Sequence, residues 1–112
     1  MSFHPLIVAQ YDLQGHHRRT EHWSLVVMFN LNDAHVFEII GNTDTYEYVP
    51  RPIARFSSSN KLRGGCQIGM IRRDLIGWLE VRLRQVQIIR NNPQWDCQDW
   101  VMEAIRWMKW MG

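Results

Sequence analysis

The sequence predicts an α+β domain, a small antiparallel sheet packed on a C-terminal helix that carries Cys97. Three observations lead there. Between Pro5 and Val49, runs rich in β-branched and aromatic residues alternate with Gly, Asn, Asp and Pro, the composition of strands and turns. From Asp74 onward, Leu75, Trp78, Leu79, Leu83 and Val86 fall near helical spacing. At the end, Cys97, Trp100, Val101, Ala104, Ile105 and Met108 form one apolar helical stripe.

The elements follow in order. Pro5 to Gln10 is a short apolar run and reads as a first strand. Asp12 to Thr20 is polar, holds Gly15, His16, His17, Arg18 and Arg19, and suits an exposed loop. Trp23 to Phe29 reads as a central strand. Asn30-Leu31-Asn32-Asp33 is a turn, and His35 to Ile40 is a third strand stopped by Gly41-Asn42, so the two strands form a hairpin. Thr45 to Val49 reads as a further strand, ended by Pro50 and Pro52. Ser57 to Gly65 is a loop and Cys66 to Ile71 a short strand, with Cys66 expected in the core. A helix is expected near Asp74 to Gln85. Val86 to Ile89 is either its end or a short strand, and Asn91-Asn92-Pro93 breaks the pattern.

No repeat or linker interrupts the 112 residues, so 1–112 is read as a single domain. At 46% hydrophobic residues the chain can bury a real core, with six Trp and six Met to fill it. A net charge of +2, with basic residues no denser than Arg18-Arg19 and Arg72-Arg73, gives no reason to expect nucleic acid. No stretch reaches the ~18 apolar residues of a membrane span, and the N-terminus lacks the pattern of a signal peptide. Two cysteines make no disulfide framework, so a cytoplasmic protein with free thiols is expected. No zinc-type spacing appears, and no metal or cofactor is expected.

The chemistry gathers at Asp96-Cys97-Gln98. A thiol at a helix start faces backbone N–H groups without intrahelical partners and the positive end of the helix dipole. Both favour the thiolate, which is the nucleophile. Asp96 suits the N-cap, although its carboxylate works against the thiolate. A cysteine nucleophile needs a base in hydrogen-bond reach and a third group to orient that base. His16 and His17 sit in a polar loop and His4 near a terminus. His22 begins the strongest strand and His35 the next, so a hairpin brings them near each other. His22 as base and His35 as orienter is the expected arrangement. Against it, a lone cysteine on an apolar helix face is commonly a small core residue. Trp100, Trp107 and Trp110 are more often packing than a ligand platform. Glu38 and Asp44 show no useful carboxylate pairing.

Glu21-His22-Trp23-Ser24-Leu25-Val26-Val27, then His35, then Trp95-Asp96-Cys97-Gln98-Asp99-Trp100-Val101 resemble, in that order, the circularly permuted NlpC/P60 branch of the papain-like fold. Its lecithin:retinol acyltransferase-like members carry a similar His-Trp strand, a second strand histidine and a later Asn-Cys-Glu-His-Phe helix start. The chain is also similar to small fungal proteins with His-Trp and Asn-Cys-Gln-Asp-Trp motifs. The resemblance covers roughly Glu21 to Ile105. It implies Cys97 as nucleophile, His22 as general base and His35 as the third polar residue. Asp96 departs from the acyltransferases' Asn, though an Asp-Cys pair resembles the unpermuted peptidases, and Gln98-Asp99 replaces Glu-His.

The expected function is therefore a cysteine hydrolase or acyl/peptidyl transferase working through a thioester on a peptide, amide or acyl substrate. Two alternatives come from other classes. One is a catalytically inactive module of the same fold, dimerising or binding a partner through Trp107, Trp110 and Met111. The other is a lipid-facing enzyme using the Trp/Met-rich helix at an interface, for which a basic face is missing.

Overall fold

Alternation along the Glu21–Met28 strand sets the layout of the domain. Leu25 and Val27 point to one side and Ser24 and Val26 to the other, since successive strand residues face opposite sides. All four are fully buried, so this strand needs cover on both faces. The computed structural model describes residues 2–12, 21–54 and 62–109. In chain order these form β1 (Phe3–Asp12), β2 (Glu21–Met28), β3 (Asp33–Phe37), β4 (Ile39–Ile40), β5 (Glu47–Tyr48), β6 (Arg51–Ala54), β7 (Leu62–Arg72), α1 (Ile76–Arg84) and α2 (Cys97–Lys109). A five-stranded antiparallel sheet runs β6-β3-β2-β1-β7, and β4 and β5 pair separately.

Both helices cover one face. Leu25 and Val27 of β2, Phe37 and Ile39 pack there against Leu79 and Leu83 of α1 and Trp100, Val101 and Ala104 of α2. On the other face Ala9, Val26, Ala34 and Val36 form a second cluster, covered by partly buried Ile7, Tyr11, Met28, Ile53 and Leu62. The sheet is therefore an α+β arrangement with helices on one side. Its edges are blunted: β6 carries Pro52, and β7 shifts register twice against β1, near Ile68 and Arg63. Both devices discourage strand addition by another chain.

The hairpin between β2 and β3 is closed by local chemistry. The Asn30 side-chain oxygen accepts from the N–H groups of Asn32 (2.8 Å) and Asp33 (2.9 Å), and Phe29 N–H donates to the Asp33 carbonyl at 2.9 Å. This Asx-type turn fixes the register Leu25↔Phe37, Val26↔Val36, Val27↔His35.

Several boundaries differ from the sequence expectation. The run from His35 to Ile40 is two strands, because the chain leaves the large sheet at Glu38 and Ile39–Ile40 pairs with β5 instead. Pro52 does not end the strand region; it lies within β6, which among the described residues pairs along one edge, with β3. The strand expected at Cys66 to Ile71 begins at Leu62, taking in Gly64 and Gly65 from the expected loop. Cys66 is exposed and is not a core residue; it lies on β7, at the edge of the sheet. After a 3-10 turn at Arg73–Leu75, α1 ends at Arg84 and no strand follows it. Among the described residues, no helix is long and apolar enough to cross a membrane. The His16-His17 loop and Trp110, Met111 and Gly112 lie outside the described residues.

Candidate active site

Helix α2 starts with a capping box. Asp96 Oδ1 accepts from Gln98 N–H at 2.9 Å, and Asp99 Oδ2 accepts from Asp96 N–H at 2.9 Å. Two donors that a helix start leaves unpaired are thereby satisfied, with Asp at the position where Glu is usual. The expected cap at Asp96 is thus present, and its carboxylate is engaged with backbone. Trp100, fully buried and tilted against Tyr48 at 5.6 Å, anchors the first turn. Those constraints hold Cys97 at the first helical position with its side chain against the sheet, buried as the stripe predicts.

The sulfur lies where β3 has left β2. The β2–β3 pairing stops at Leu25↔Phe37. Two residues earlier along β2, the Trp23 backbone N–H donates to Cys97 Sγ at 3.5 Å. A strand N–H lies close to the plane of its sheet. The sulfur therefore sits at the sheet's end, in reach of side chains from either face.

His22 approaches from the face opposite the helices. Its ring stands between two partners. Nε2 lies 2.8 Å from Glu38 Oε1, and Cys97 is within hydrogen-bonding reach of the ring. An ionised carboxylate only accepts, so Nε2 carries a proton and Nδ1 is the ring nitrogen at which the imidazole gains or loses its other proton. Burial by itself favours the neutral ring. The hydrogen bonds to Cys97 and Glu38, and their negative charge, outweigh it and raise the imidazole from 6.5 to about 9. Glu38 in turn meets Arg51 Nη2 through Oε2 at 3.3 Å. Tyr11 sits directly across the ladder from His22, ring centroids 6.0 Å apart, and burial raises its phenol.

The structure does not bring His35 to His22. His35 pairs with Val27 across the ladder, on the helix-facing side, and its Nε2 lies 3.3 Å from Glu80 of α1. Glu38, three positions further, falls on the opposite side, the side of His22. Period-2 alternation separates the two, and the hairpin register makes His22 and Glu38 diagonal neighbours. The signal was in the sequence: a turn at Asn30 to Asp33 fixes that register, and Glu38 then shares a face with His22.

The site opens into a cleft of about 360 Å³, walled by Ile39 to Thr43 and Tyr46 opposite Asp96 and Cys97. Gly41 makes the wall possible. It has φ +115°, and a Cβ there would lie 2.9 Å from the Thr45 carbonyl oxygen. The segment leading to α2 is tied to the same wall. Arg90 donates twice to the Tyr46 carbonyl, at 3.1 and 2.8 Å, and Asn91 N–H donates to the Thr43 carbonyl at 2.8 Å. Among the described residues no group of three or more His, Cys, Asp or Glu could hold a metal ion.

The arrangement is thus a thiol at a helix start, a base beside it and a buried acid behind the base, all at the mouth of a cleft. No protein-family model, no curated protein and no solved structure matches the chain.

Proposed function

We propose that the chain is a small cysteine hydrolase or acyl-transfer enzyme of the circularly permuted papain-like type, acting on a peptide, amide or other acyl substrate through a thioester. The observation that carries this reading is His22, held at 2.8 Å by Glu38 and sharing the mouth of one cleft with Cys97, which helps raise its imidazole. The order His22, Glu38, Cys97, with the histidine strand before the cysteine helix, supports the permuted layout.

Each step uses a named atom. The raised imidazole holds the Cys97 proton on Nδ1 as imidazolium, and Sγ attacks the substrate carbonyl carbon. The carbonyl oxygen becomes an oxyanion, and the Cys97 backbone N–H at the helix start is its donor. As the tetrahedral intermediate collapses, the imidazolium returns the proton to the leaving group and the acyl group stays on sulfur as a thioester. Water, or a second acceptor, then loses a proton to His22 and attacks the thioester. Collapse releases the acyl product and restores the thiol. Glu38, in the role first expected of His35, holds the imidazole tautomer and balances its charge. The two free cysteines fit a reducing, cytoplasmic setting.

The test uses the chain's second cysteine as its internal control. Iodoacetamide labelling at mildly acidic pH should modify Cys97 faster than exposed Cys66, and the fast phase should vanish in Cys97→Ala. Equal rates at the two cysteines would remove the basis for an activated nucleophile.

A further inference from the structure

Glu38 has two carboxylate oxygens, and each has its own partner. Oε1 faces His22 Nε2 at 2.8 Å and Oε2 faces Arg51 Nη2 at 3.3 Å. The Glu38 side chain is only 7% exposed, whereas Arg51, on the edge strand β6, is 41% exposed. Arg51 is itself fixed. Its backbone sits opposite Val36 in the β3–β6 ladder, and Nη1 donates to the Val49 carbonyl at 3.5 Å. Val49 N–H closes the circuit by donating to the Glu38 carbonyl at 2.8 Å. Main chain and carboxylate of Glu38 are thus held from the same short segment, 49–51.

We infer that Arg51 is a positioning residue, holding the Glu38 carboxylate so that Oε1 stays on His22 Nε2. The inference rests on the reading of His22 as the base for Cys97. Among the described residues, the other titratable groups around Glu38 are His22 from β2, Tyr11 from β1, and the cap residue Asp96 and Cys97 at the start of α2 across the cleft. A planar guanidinium can face a carboxylate oxygen and a carbonyl at once, which an ammonium cannot match in geometry. The fork matters more here than the charge. Considered only as a charge, Arg51 opposes the proton on His22, and removing it would raise the imidazole pKa. As a positioning group it does the reverse. Without it the carboxylate swings off Nε2, and the imidazole loses the partner that keeps it protonated.

The sign of one measurement separates these. Proton titration of the histidine rings is followed by NMR, with the His22 signal identified by its loss in His22→Gln. Wild type should titrate near 9. In Arg51→Gln the midpoint should fall by about one pH unit, the size of a lost close charged partner. Arg51→Lys should also fall, by less, because it keeps the charge and loses the fork. An unchanged or raised midpoint in Arg51→Gln, or full wild-type behaviour in Arg51→Lys, overturns the inference. The Lys variant also guards against Arg51→Gln failing to fold. Cys97 labelling is scored separately: slow wild-type labelling would remove the proposed enzyme and leave the titration result for Arg51 intact.

Discussion

Among the described residues, two histidine–glutamate pairs look alike in chemistry and differ in everything around them. His22–Glu38 spans 2.8 Å, and 7% of the glutamate side chain is exposed. His35–Glu80 spans 3.3 Å, and 36% of its glutamate side chain is exposed. The first pair has a thiol on one side, an arginine on the other and a cleft in front. The second joins a strand to a helix, with Phe37 beside His35 and the Tyr48 hydroxyl donating to the Glu80 backbone carbonyl at 2.9 Å. A partly exposed ion pair contributes little, about 0–1 kcal/mol. The first pair differs because it stands where the large sheet has split. β3 departs at Glu38, leaving room beside β2 for a helix start and its sulfur.

The largest effect expected from this difference is chemical. His22→Ala should slow Cys97 alkylation at mildly acidic pH, and turnover once a substrate is found, by about 10²–10⁴-fold. His35→Ala should leave both within about twofold, since its imidazole faces α1 rather than the thiol. Equal losses from the two variants would erase the distinction between the pairs.

The next effect is on stability against pH. The folded-state value for His22 lies above the ordinary 6.5, so its contribution is complete below that pH and is lost as pH rises through about 9. Denaturant unfolding of wild type and of His22→Asn, compared at pH 6 and pH 10, should show their difference shrinking by up to about 3 kcal/mol. A difference that grows with pH would contradict the raised imidazole. A smaller effect concerns the helix start. Asp96→Ala should cost about 1 kcal/mol through loss of the cap, read as a lower denaturation midpoint, with His22–Glu38 left in place. A loss above about 3 kcal/mol would mean that Asp96 holds more than the helix end.

Sequence alone made parts of this site legible. The stripe from Cys97 to Met108 and the N-cap at Asp96 depend on spacing within one helix, and the structure keeps both. The His22 strand was legible for the same reason, since its β-branched run and the Asn30 turn are local. His35 falls on the other face from His22, and a separation of thirteen residues does not say which face of the sheet each residue takes. Glu38 was passed over because its carboxylate was weighed for pairing with another carboxylate. Its diagonal relation to His22 depends on hairpin register.

What the sequence by itself determined, then, is the α+β class, the helix that presents Cys97 and the strand that presents His22. Each follows from periodicity and capping over a few neighbouring residues. Tertiary structure alone decided that β3 breaks at Glu38, that β6 brings Arg51 up behind it, and that the sulfur fills the gap beside Trp23. Those facts rest on contacts between residues up to 74 positions apart, as for Trp23 and Cys97. Pairing register and helix docking set such contacts, and both are settled only when the whole core packs.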